Sequence, residues 1–333
     1  MKTLVLSMIS IAATVAAMTA CTSESDPIND IQDPKNDKVE IKLTAGVVNV
    51  ETKASPVKDA TPTEFAEGTN IQLIRWDHEE TLADLTWETG TYTEVSAIAS
   101  GTTINFTTPQ YYKEDGKSTS FIGFYPALTE GSVTLSDGTV QFTGLNGQTD
   151  ILSAELVNVG SQALVSTDAE IKFKHMLSQI KFKLSGTEAA DETFGKIKKI
   201  SLSNIATNLN MTLGKNAEAT KIVVPVNATK EDLTVLDVTD EAGASITSLL
   251  NKEYTIMIPP ELGSSEKNIE IKIETTTHNG DNSLKVNANN FGDTGIGSGT
   301  ANEITLTFKD KITVTTAIAD WSEGQNKNYG IEE

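Results

Sequence analysis

The side chains able to carry chemistry in this 333-residue chain are few and scattered. Histidine is the residue whose ordinary pKa suits proton transfer near neutrality. There are three, His78, His175 and His278, one in each third of the sequence. No two stand at the H-x-x-x-H spacing that lets one helix face present both imidazoles to a metal. No G-x-S-x-G elbow offers a nucleophile for one of them to activate. His175 alternates with apolar residues and reads as a structural histidine in a strand, while His78 in "RWDHEE" and His278 in "THNGDN" read as exposed. The glycine-rich "FGDTGIGSG" at 291–299 leads into no helical pattern, so it reads as a turn rather than a dinucleotide loop. "HNGDN" has oxygen donors without EF-hand spacing. Neither catalysis, a cofactor nor a bound metal is expected.

Acids are numerous enough that counting alone does not exclude a glycosidase pair. Glu79, Glu80 and Asp84 cluster with Trp76 and Trp87, and an aromatic face flanked by acids can stack a sugar ring. Trp76 and Trp87 are therefore candidate glycan contacts. The same residues also make a hydrophobic anchor under an acidic loop, which is the preferred reading.

Cys21 is the single cysteine, so the chain has no intramolecular disulfide and must be held by its cores. Ahead of it, Lys2 and the apolar "LVLSMISIAATVAAM" read as an export signal over residues 1–20, too short to span a bilayer. "MTAC" resembles the lipobox of bacterial lipoproteins, in which the cysteine becomes the first mature residue and carries the acyl chains. Met18 stands where that pattern usually has Leu, Val or Ile. Cys21 is thus the candidate lipidation site. Residues 21–38 are polar, acidic and aperiodic, and read as a flexible tether.

The elements that follow are strands. Lys and Arg total 26 against 46 Asp and Glu, a net charge of −20 that repels phosphate backbones and excludes a nucleic-acid partner. Arg75 is the only arginine. From residue 39 the hydrophobic period is two: Val39, Ile41 and Leu43; Tyr254, Ile256 and Ile258; Ile269, Ile271 and Ile273; Ile304, Leu306 and Phe308; Ile312 and Val314. Asp137-Gly138 predicts a tight hairpin, and Pro225 in "TKIVVPVNA" predicts an edge or a bulge. The best helix candidate, 240–252, is short. In "DAEIKFKHMLSQIKFKL" the apolar parity changes from odd to even, which requires a bulge or break near His175–Gln179. These patterns predict a mostly-β protein built from sandwiches: an N-terminal domain over 39–168 and a C-terminal domain over 169–333.

The chain also resembles a family. The lipoprotein signal, an early strand ending in "ETKASP", then "FIGFYP", "QTDIL", "FKHMLSQIKFKL" and "AIADWSEG" occur in the order found in the fimbrillin, or Mfa-like, family, the subunits of type V pili in Bacteroides and Porphyromonas. The resemblance implies two tandem transthyretin-like β-sandwiches and export as a lipoprotein to the surface of the outer membrane, anchored there through acylated Cys21. It implies proteolytic removal of a first strand, here 39–52, and β-strand complementation between pilin subunits. The family's Thr-Arg-Ala cleavage motif corresponds to "TKA", so Lys53 and Ala54 mark the candidate cut, with lysine in place of arginine. The short stretch after Trp321 points to a tip or accessory subunit, or to one whose last strands double as donor, with host or bacterial surface ligands as further candidate partners. The alternative is a monomeric, surface-anchored glycan-binding or adhesin lipoprotein that keeps its lipid.

Overall fold

The computed structural model describes residues 38–48, 64–79, 85–88, 90–166, 169–214, 220–260, 268–289, 291 and 296–319. Its first ten strands are β1 (Leu43–Val48), β2 (Phe65–His78), β3 (Thr93–Gly101), β4 (Thr103–Phe106), β5 (Ser118–Tyr125), β6 (Val133–Ser136), β7 (Thr139–Phe142), β8 (Leu152–Ala154), β9 (Val157–Gly160) and β10 (Glu170–His175). Most of them build one sheet in the order β2-β3-β4-β1-β10-β8-β5-β9. A further pairing of β2 with β5, from Gln72↔Phe124 to His78↔Ser118, closes that sheet on itself. Closure leaves β9, paired with β5 alone, as the one strand at an edge of this sheet, and pairing around a ring is how β proteins avoid unpaired backbone. Ile41, Leu43, Ala45, Val47, Ile71, Leu73, Phe121 and Phe173 fill its interior.

β2 and β5 are buried on both faces, which explains their nearly unbroken apolar runs "IQLIRW" and "FIGFY". Ile71 and Leu73 belong to the ring core; Ile74, Trp76, Ile122 and Phe124 belong to a second core outside it. The β6–β7 hairpin covers that outer core. It turns where expected, with Asp137 (φ 47°) and Gly138 (φ 72°) both left-handed, the conformation a two-residue hairpin needs.

The later strands are β11 (Ser178–Gly186), β12 (Ile197–Ala206), β13 (Leu209–Thr212), β14 (Lys221–Val223), β15 (Lys230–Asp237), β16 (Tyr254–Ile258), β17 (Ile269–Thr275), β18 (Leu284–Ala288), β19 (Ala301–Phe308) and β20 (Ile312–Ala319). Two four-stranded sheets, β16-β11-β19-β20 and β15-β12-β17-β18, face each other across one core of Ile, Leu and Phe side chains. Two short helices, α1 (Ala189–Phe194) and α2 (Ile246–Leu249), are the helical content among the described residues besides a 3-10 turn at Gly280–Asn282; α2 is all that forms of the expected 240–252 helix.

The two halves are joined by a shared sheet. β7 pairs with β13 from Leu209↔Phe142 to Thr212↔Thr139, giving the order β14-β13-β7-β6. The parity change predicted near His175–Gln179 is real: β10 ends at His175, β11 starts at Ser178, and Met176 and Leu177 intervene. Ile171 and Phe173 point into the ring core, whereas Ile180 and Phe182 point into the sandwich core. The passage from one core to the next therefore falls at Met176–Leu177, later than the expected 168, because β10 is needed in the ring wall beside β1.

Candidate assembly site at the first strand

β1 is seated between β4 and β10 in the ring wall. It runs parallel to β10, in register from Thr44↔Glu170 to Val48↔Lys174, and antiparallel to β4 at Leu43↔Ile104 and Thr44↔Thr103. Leu43, Ala45 and Val47 project inward because side chains alternate along a strand. With Ile41 they are between 1 and 4 % exposed. Burial of such a Leu, Ile or Val contributes about 1.5–3 kcal/mol each.

The chain just before β1 is clasped by residues 110–112. The Ile41 amide donates to the Gln110 carbonyl at 2.8 Å, and the Tyr112 amide donates to the Val39 carbonyl at 3.0 Å. Arg75 holds this clasp from beneath. Its Nε and Nη2 donate to Asp77 Oδ1 at 3.1 and 2.8 Å, Nη1 to Gln110 Oε1 at 3.0 Å, and Nη2 also to the Tyr111 carbonyl at 2.7 Å. Thr119 Oγ1 adds a 2.8 Å donation to the same Asp77 oxygen. A buried guanidinium persists only with its nitrogens hydrogen-bonded, and here all three donate. Tyr112, buried in the ring core, donates its hydroxyl to the Val159 carbonyl at 2.8 Å. Burial pushes its phenol above the ordinary pKa, and the Arg75 charge offsets part of that rise.

Cys21, Lys53 and Ala54 lie outside the described residues, as do Glu80 and Asp84. Trp76 and Trp87 are brought together, ring centroids 4.8 Å apart and edge to face, with Tyr92 5.6 Å from Trp87. Trp76 is 2 % exposed, and its Nε1 donates to the Thr86 carbonyl at 3.0 Å. Its faces are occupied by the outer core. Trp87 is half-buried and lies over Gly138, where a Cβ would run into the indole. Tyr92 and Gly138 complete the cluster; no spacing in the sequence ties either of them to the tryptophans.

The histidines stand apart. His78, expected at the surface, is buried because β2 continues through it and pairs with β5; its Nε2 lies 2.8 Å from Ser120 Oγ and its Nδ1 2.6 Å from the Glu79 carbonyl. Ser120 is fully buried, so this Ser–His contact offers no path to a substrate. His175 is buried at the end of β10, its Nδ1 hydrogen-bonded to the Asp150 carboxyl group. His278 is half-buried beside Thr277 and the Phe194 carbonyl. Burial, with the Asp150 and Glu130 charges, also raises the Tyr125 pKa. Among the described residues no three His, Cys, Asp or Glu side chains converge as metal ligands, and no helix is long and apolar enough to cross a membrane.

A closed β ring with its N-terminal strand in the wall, stitched to a β-sandwich, is the architecture to be matched. The chain belongs to the fimbrillin-like family, whose model matches residues 52–321 and so begins beyond β1. A candidate cell adhesion protein from Bacteroides uniformis shares the fold at 15 % identity, covering 87 % of this chain and 100 % of its own, with a TM-score of 0.55. One from Bacteroides ovatus is 14 % identical over 86 % of this chain and 99 % of its own, with a TM-score of 0.54. No curated protein matches the chain.

Proposed function

We propose that this chain is a structural, tip or accessory subunit of a type V pilus that contributes to cell adhesion. Membership of a fimbrial family supports assembly and adhesion over catalysis. The observation that carries the finer reading is the position of β1: it is the most N-terminal strand described, and it completes a ring that is otherwise closed. In this reading Cys21 is acylated and delivers the precursor to the outer membrane surface, and a protease then cuts after Lys53. Loss of residues 21–53 removes β1 and leaves β4 and β10 with unpaired N–H and C=O groups along an apolar slot. A strand from another subunit restores both the ladder and the buried side chains, which is the drive for strand complementation. The two halves act as tandem transthyretin-like sandwiches, the shared β7–β13 sheet keeping them in one piece.

The test is limited digestion of the purified precursor with a trypsin-like protease. A stable core starting at Ala54 that ladders on native gels supports the reading; a core that stays monomeric at every concentration counts against it.

One observation favours a second reading, a surface lipoprotein that retains β1 and its anchor. Arg75 is the only arginine, and it is 6 % exposed in a strand paired on both sides, so an arginine-specific protease has no accessible bond in the folded chain. Sequencing the N-terminus of the protein from the native cell surface separates the two: acylated Cys21 means a retained anchor, Ala54 a processed pilin.

A further inference from the structure

A forked sheet at one end of the sandwich forms a groove separate from the β1 slot. β12 pairs with β17 only as far as Leu202↔Ile271, although β17 extends to Ile269 and β12 to Ala206. Asn204, with φ 59° in the left-handed region, lies inside a register shift that swings the end of β12 away while it keeps its pairing with β15. Among the described residues no strand fills the gap. The fork opens into a groove of about 750 Å³. Ile222, Ile258, Pro259, Pro260, Ile269 and Ile296 give it an apolar lining, while Lys230 and Glu270 also border it. Two strand edges, Ser203–Ala206 and Ile269–Glu270, flank the opening, the geometry an added strand needs.

We infer that this groove is the docking site of the chain's own C-terminal segment, residues 320–333. The exit point places the segment there. Ala319 pairs with Ala301, Ala301 with Gln179, and Gln179 with Met257, so β20 ends level with the end of β16, where Ile258–Pro260 line the groove. Three interstrand spacings separate β20 from β16 in that sheet, about 14 Å. The residues from Asp320 to Asn328 reach about 30 Å when extended, enough to cross that distance and bring Tyr329 and Ile331 to the groove. In an extended segment those two share one face and can enter the apolar lining. The inference does not depend on the pilus reading, because it requires neither cleavage nor a second subunit.

Amide hydrogen exchange on the full chain and on the Ile331→Asp and Tyr329→Ala variants tests it. The expected result is exchange about tenfold faster or more at Ser203–Ala206 and Ile269–Glu270 in each variant, with Ile200 and Leu202 unchanged as the reporter of an intact sandwich. Unchanged exchange at the fork in both variants overturns the docking. Protection that rises with protein concentration also overturns it, since a second copy then fills the groove.

Discussion

Arg75 donates to the backbone carbonyl of Tyr111 at 2.7 Å, tying the chain's only arginine to the segment that clasps the approach to β1. A residue that invites reading as a protease target is instead a fastener. The same guanidinium joins Asp77 of β2 to Gln110 of the clasping segment.

Replacing Arg75 with Met leaves Asp77 and the Tyr111 carbonyl without their partner in a poorly hydrated site. The expected cost is about 3–5 kcal/mol, the usual penalty for breaking a buried ion pair from one side. Arg75→Lys keeps the charge but loses the fork, so it falls between wild type and Met. Urea unfolding gives the magnitude. Hydrogen exchange should quicken first at Ile41 and Tyr112, whose amides close the clasp.

Gly123 is required for space rather than for conformation. A Cβ there would meet Phe173 Cζ at 2.7 Å and Leu73 Cδ2 at 2.9 Å, both in the ring core. Gly123→Ala is expected to destabilise by about 1–3 kcal/mol through overpacking. A lowered urea midpoint with an unchanged slope is the signature to look for.

The shared sheet predicts that the first half does not stand alone. A fragment of residues 38–177 lacks β13 and β14, which uncovers Val140 and Phe142, each at most 1 % exposed in the intact chain. It should bind a hydrophobic dye and lack native near-ultraviolet dichroism from Trp76 and Trp87. A fragment with a sharp, cooperative transition and native dichroism rejects the coupling.

Alkaline pH should weaken the ring through its buried phenols. The pKa values of Tyr112 and Tyr125 are both raised from the ordinary 10.0, chiefly by burial. Above that pH the unfolded chain gives up these protons while the folded chain keeps them. The contribution to stability is therefore whole below pH 10 and is lost as pH climbs towards the folded values. Tyr112→Phe should flatten this decline in a pH series of urea midpoints. Near pH 7 it costs about 1 kcal/mol, the hydrogen bond to Val159.

Much of the fold is legible in single residues. The Asp137-Gly138 turn, the break between His175 and Ser178, and the alternation in β16, β17, β19 and β20 all follow from local chemistry. Pro225 follows an edge strand, as expected, but β14 stops at Val223, so Val226, which alternates with Ile222 and Val224 in the sequence, is fully exposed instead of sharing their face. The histidines are less legible. His175 is structural as its alternation implies, but the burial of His78 depends on β5 lying beside it, with Ser118 and Ser120 about forty positions away in the chain. The aromatic pair was visible as a cluster, whereas its orientation was not: Trp76 turns inward because β2 has a second core on its other face.

By itself the sequence determined the strand-rich class, the parity of each strand, the single arginine, the lone cysteine at 21 and the acidic surface, since each is a property of residue type and near neighbours. Only the tertiary structure decided that β1 closes a ring, that β7 crosses to pair with β13, and that Arg75 fastens the clasp on β1. The physical reason is common to all three. Alternation specifies which face of a strand is buried, but hydrogen-bond partners are chosen by the whole chain competing for edges, and no local period records that choice.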